Sequence, residues 1–234
     1  MNLCRALYAS GDVNWRLGKL DNAKVALNES LALARMLGDV TRELFALNRL
    51  AMTLTDSAEE ERFYTEVQAR AVAAGNRERA MTALNNLGAV AYYQGDYAVA
   101  KEYYQQALAL AREIAQDSVA LFLLNLAAND IKLGQLAAAR AGLREGLALR
   151  VGALSWVVRA VKSFGYLAHA EGQSERALAL LGLAGNHPAW NSDNQRDLDM
   201  TLAEWALDPS VVEAGLKKGE GLGWDTTIQE LLKG

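Results

Sequence analysis

The sequence predicts an all-α fold: an α-solenoid of about five helical hairpins with a C-terminal helical cap. Three observations carry this expectation. Glycines suited to turns, Gly18, Gly95, Gly134 and Gly172, are separated by 77, 39 and 38 residues. A unit of about 38 residues therefore repeats, with one unit near residue 57 having lost its glycine, and such a period means stacked helical units rather than one closed core. A small residue also recurs on one helical face ahead of each turn. Finally, Leu and Ala dominate, β-branched residues are sparse, and the only prolines are Pro188 and Pro209, a composition that favours helix along nearly the whole chain.

The elements follow in order. In the first unit Gly11, Ala23 and Ser30 stand where two helices of a hairpin would cross, on either side of Gly18. The second unit is irregular. Its segment Ala46-Leu-Asn-Arg-Leu-Ala51 copies Ala83-Leu-Asn-Asn-Leu-Gly88 of the third, but its turn is Thr55-Asp56-Ser57, where Ser57 and Glu60 have capping-box spacing and can start a helix without glycine. The third unit, Met81 to Gln116, is the clearest. Gly95 suits the left-handed position after its first helix, Asp96 can cap the second, and Gly88, Ala100 and Ala107 mark the crossing. Ala127, Ala139 and Gly146 repeat that pattern in the fourth unit, and Gly165, Ala177 and Ala184 in the fifth.

Past residue 186 the period breaks. His187-Pro188 ends the fifth hairpin, a helix is expected from about Asn194 to Leu207, another from Pro209 to about Lys218, and a last one to Leu232. We therefore expect a repeat array over 1–186 and a capping segment over 187–234, with Trp190, Trp205 and Trp224 forming the core of the cap. The run Gly219-Glu-Gly-Leu-Gly223 follows no strand and reads as a turn rather than a phosphate loop.

In the third unit Leu84, Leu87, Gly88, Tyr92, Gly95, Tyr97, Ala100, Tyr104 and Ala107 resemble the tetratricopeptide repeat. The units depart from that family in lacking the closing proline and in running four or five residues longer, so that the second helix continues, as in Ser30-Leu-Ala-Leu-Ala-Arg35. The longer variety, together with the tail, is similar to the sensor regions of bacterial signal-transduction ATPases and of maltose-regulator-type transcriptional activators.

Composition narrows the chemistry. A net charge of −4 argues against a nucleic-acid binder that uses its whole surface, and leaves room for a local basic face. The single Cys4 allows no intramolecular disulfide and no cysteine-rich zinc site, and fits a cytoplasmic location. Cys4 itself is expected half-buried beside the first helix. The most apolar stretch, Val151 to Val158, is far short of a membrane span, and the N-terminus has no signal-peptide pattern. His169 and His187 have no carboxylate at metal-ligand spacing, and no nucleotide-binding loop is present. Neither an enzyme nor a cofactor is expected. The first repeat begins almost at once, which points to a fragment or a partner-dependent edge.

The resemblance implies that the first helix of each hairpin lines a concave face. The positions it places there include Arg5, Tyr8, Trp15 and Arg16 from the first unit, Asn48 from the second, and Asn85 and Tyr92 from the third. The fourth contributes Lys132, and the fifth Arg159, Lys162, Tyr166 and His169. Across all such positions five cations face one acid, Asp12, in a chain that is acidic as a whole. Aromatics with a polar edge lie among the cations, the composition of a binding surface, and the recurring Asn48 and Asn85 amides can hold an extended backbone. Leu121, Leu124 and Ile131 read instead as core between repeats. The expected partner is an acidic protein or peptide segment held by a non-catalytic scaffold; the alternative is an anionic small metabolite sensed by a domain of a larger regulator.

Overall fold

The computed structural model describes residues 2–149 and 154–233, so the first three residues of the apolar stretch at 151–158 lie outside the described residues. The described residues hold thirteen α-helices, one 3₁₀ turn and no strand. This is the all-α class expected, of solenoid type. Two compact units make up the chain, 1–115 and 116–234.

The first unit contains three hairpins: α1 (Asn2–Arg16) with α2 (Leu20–Met36), α3 (Val40–Ala51) with α4 (Ser57–Ala73), and α5 (Arg77–Gln94) with α6 (Tyr97–Ile114). Each second helix also packs on the first helix of the next hairpin, α2 on α3 and α4 on α5. The crossing positions behave as their small side chains require. Ala23, Ser30, Ala100 and Ala107 are fully buried, and a Cβ on Gly88 would stand 2.7 Å from the Tyr104 ring. Cys4 is buried rather than half-buried: its thiol donates to the Ser30 carbonyl at 3.3 Å, and the Ser30 hydroxyl donates to the Cys4 carbonyl at 3.0 Å.

Gly95 ends α5 with φ 87, a conformation costly for any residue with a Cβ. Gly38 and Gly75, between hairpins, also have positive φ. They follow second helices, whereas Gly18 and Gly95 follow first helices. The residues after them, Asp39 and Asn76, cap the next helices by accepting from the Arg42 and Arg79 N–H groups. Asp96 does not cap with its side chain, contrary to expectation. Its ψ is 61, against 82 and 81 at Asp39 and Asn76, which do cap. In the second hairpin the cap is Asp56, one residue before the expected Ser57. Asp56 has the extended backbone (φ −91, ψ 119) that a cap needs, and accepts from the Glu59 N–H at 2.8 Å.

The second unit begins with the 3₁₀ turn Gln116–Ser118 and continues with α7 (Val119–Lys132), α8 (Leu136–Leu149), α9 (Leu154–Ala170) and α10 (Ser174–Gly185). Three helices follow, α11 (Ser192–Trp205), α12 (Pro209–Glu220) and α13 (Trp224–Lys233). Leu124, Leu143, Leu147, Val161 and Phe164 form its core, to which α13 adds Leu231. Trp156, Trp190 and Trp224 pack against the same core, as do Ile131 and Ile228.

Helix α12 crosses α10 at backbone contact. A Cβ on Gly182 would lie 2.0 Å from the Leu216 carbonyl oxygen, and one on Gly219 would lie 2.2 Å from that of Ala179. Gly219 therefore belongs to a helix crossing rather than to the expected turn, which is confined to residues 221–223. Trp205 also departs from expectation: it meets Tyr166 and His169 of α9 instead of joining Trp190 and Trp224.

Candidate functional site

Most candidate residues of the first unit fall into three groups, with Tyr92 and Arg5 outside them. Tyr8 meets Phe45 edge-on at 5.7 Å, and the Arg79 guanidinium lies 3.8 Å from the centre of the Phe45 ring. Trp15 lies under the Arg49 guanidinium at 4.5 Å and donates its indole N–H to the Met52 carbonyl at 2.9 Å. Asp12 joins Arg16 at 2.9 Å and Arg49 at 2.6 Å, so the one acid expected on this face holds two cations. The third group is amide: Asn86 Nδ2 donates to Asn48 Oδ1 at 3.0 Å, and Asn85 Nδ2 to Asn86 Oδ1 at 3.3 Å. Tyr92 packs edge-on against Tyr93 and Tyr97. Arg5 and Arg16 are exposed.

In the second unit α9 gathers Lys162, Tyr166 and His169 along one side, since residues three and four apart share a helix face. What meets them is α11 of the same chain. Asp197 accepts from the Lys162 ammonium at 2.6 Å and from the Tyr166 hydroxyl at 2.9 Å, and Asn194 accepts from Lys162 at 3.2 Å. The Trp205 indole stacks on the His169 imidazole, with centroids 3.7 Å apart and planes 7° from parallel. On α7, Lys132 pairs with Glu204 at 2.9 Å. Arg159 donates to Asn125.

Lys162 is only 7% exposed. Burial pushes its ammonium below the usual lysine range, while the Asp197 carboxylate pulls the other way. Burying an ammonium is costly without a partner of opposite charge, and the Asp197 carboxylate at 2.6 Å supplies one. Burial likewise pushes His169 below the usual imidazole range. Its Nδ1 lies 3.1 Å from the Ser174 hydroxyl.

Sequence reasoning missed Arg49, Arg79, Asn86 and Asn125, and the contacts that α11 makes with α7 and α9. Arg49 and Asn86 are the residues immediately after Asn48 and Asn85 on the same helices, and could have been read from the repeat register. Asn194, Asp197, Leu198, Thr201, Glu204 and Trp205 fall at helical spacing on one face of α11, so that face was legible. Its target was not.

Helical repeats of this kind indicate a scaffold for protein interaction, a fold that is generally non-catalytic. Tetratricopeptide-repeat models match residues 61–113 and 5–35, so these two stretches carry tetratricopeptide repeats. Among solved structures, BtubC (BKLC) from P. vanneervenii is similar at TM-score 0.64 and 18% identity, over 85% of this chain and 80% of that one. A Signal Transduction ATPase with Numerous Domains with a tetratricopeptide repeat sensor, from Pyrococcus horikoshii, is similar at TM-score 0.54 and 15% identity. That match takes in 97% of this chain but 35% of the ATPase. Identities this low carry the fold alone. No curated protein matches the sequence. No helix among the described residues is long and apolar enough to cross a membrane.

Proposed function

We propose that this chain is a non-catalytic scaffold that binds an acidic protein or peptide segment on the faces formed by the first helices of its hairpins. The observation behind this reading is the seat of α11, where Asp197 and Glu204 meet Lys162 and Lys132 and an indole covers His169. The face of α7 and α9 thus already holds an acidic helical segment, and α11 serves as a template for the external partner. In the first unit the corresponding contacts are assigned to Arg5, Tyr8, Trp15, Arg16, Asn48, Asn85 and Tyr92. In the second unit they are assigned to Lys132, Arg159, Lys162, Tyr166 and His169. A cytoplasmic location fits the lone thiol, and the interaction requires no cofactor.

The test is fluorescence anisotropy with labelled peptides rich in Asp, Glu and Trp, beside basic and scrambled controls. Acidic peptides should bind with an affinity that falls as salt rises, and charge reversal at Arg5 and Arg16 should weaken them. Equal binding of acidic and basic peptides would refute the reading. Likeness to the repeat sensor of the Pyrococcus horikoshii ATPase favours a second reading, sensing of an anionic small metabolite within a larger regulator. Under that reading, anionic metabolites, rather than peptides, would raise the melting temperature.

A further inference from the structure

We propose that α11 is a displaceable internal ligand: an acidic amphipathic helix of a partner protein binds the α7–α9 face by taking the place of α11. The inference rests on the acidic-partner reading above and adds what competes for that face. Three features carry it. The first is how α11 is held. Leu198 is the one residue of this helix in the buried apolar core, among the residues described, and the helix's contacts with the α7–α9 face include Asn194 and Asp197 with Lys162, Asp197 with Tyr166, Glu204 with Lys132, and Trp205 on Tyr166 and His169. Polar contacts of this kind exchange readily for equivalent ones from another chain, because the incoming carboxylate restores what the departing one supplied.

The second feature is Lys162. With α11 seated this residue is 7% exposed and its ammonium meets Asp197 at 2.6 Å, so any helix that covers it in place of α11 must bring a carboxylate of its own, which favours an acidic replacement over a neutral or basic one. The third is anchorage. Non-helical residues 186–191 and 206–208 flank α11, and α12 beyond it is locked onto α10 by the backbone contacts at Gly182 and Gly219. Helix α11 can therefore leave while both of its neighbours stay in place. A tether this short holds it near the face at an effective concentration of ~1 mM, which an external helix must overcome.

The experiment uses the full chain and a fluorescein-labelled peptide with the sequence of residues 191–206, followed by anisotropy. A variant combining Asp197→Asn, Glu204→Gln and Trp205→Ala weakens the internal helix only. The peptide should bind this variant at least about tenfold more tightly than the wild type, and Lys162→Glu in the same background should remove the gain. Equal affinity for wild type and variant would overturn the inference while leaving the acidic-partner reading intact. Absence of binding to the variant would overturn the inference, with the anisotropy series on Arg5 and Arg16 still deciding the broader reading. Hydrogen exchange on the wild type requires no variant. Amides of α11 should exchange roughly a hundredfold faster than those of α9 and α10, and equal protection would also overturn the proposal.

Discussion

Glycines at single positions have opposite consequences depending on what a methyl group would meet. At Gly146 in α8 an added Cβ would find Leu124, Leu123 and the Ala120 carbonyl at 3.5 to 3.7 Å, ordinary contact. Gly146→Ala should stabilise the chain by about 0.5–1 kcal/mol, because helix formation costs alanine less entropy. At Gly182 the same methyl would lie 2.0 Å from a backbone oxygen. Gly182→Ala must push α12 off α10, and should cost about 1–3 kcal/mol. Denaturant titration of the pair checks both signs. His169 provides a pH test. Burial holds its folded value below the 6.5 of a free imidazole, so the unfolded chain binds more protons between the two values. Its contribution is complete above 6.5 and is lost as pH falls through 6.5 toward the folded value. The melting temperature of His169→Phe should fall less steeply than that of the wild type over this window, and parallel slopes would contradict the assignment.

Helix ends separate real caps from apparent ones. Asp56 and Asp96 both stand immediately before a second helix, yet only Asp56 accepts a bond from the first turn. Asp56→Ala should cost about 1 kcal/mol, whereas Asp96→Ala should change stability by less than about 0.5 kcal/mol. Equal losses in thermal unfolding would show that the two ends are alike. The difference was not legible locally, since both sequences offer the same carboxylate ahead of a second helix. Helix α11 was legible as an element and even as an amphipathic face. Its ion pairs join residues 35 and 72 apart in sequence, beyond the reach of any helical period.

At the scale of the molecule, the last three helices complete the second unit. Truncation after Gly185 removes the helix that covers Leu178 and Gly182 of α10 and the carboxylate that meets Lys162. Terminal repeats need such a cover. The truncated chain should aggregate or lose cooperative unfolding in its second unit, judged by gel filtration and circular dichroism. A monomeric product melting as the full chain does would show the tail to be dispensable.

Much of this protein was determined by its sequence alone. The period of about 38 residues, the turn glycines and the small residues at Ala23, Ala100, Ala139 and Ala177 are local and repeated. Five hairpins in register follow from them, since each unit solves the same packing problem with the same spacing. Tertiary structure decided where the unrepeated helices go. That α12 would cross α10 at Gly182, and that α11 would place Asp197 on Lys162 and Trp205 on His169, are unique pairings between distant segments. A side chain that reads as a free groove cation in one dimension acquires its partner only when the chain returns to it, because charge complementarity and close backbone approach are properties of surfaces and not of spacing.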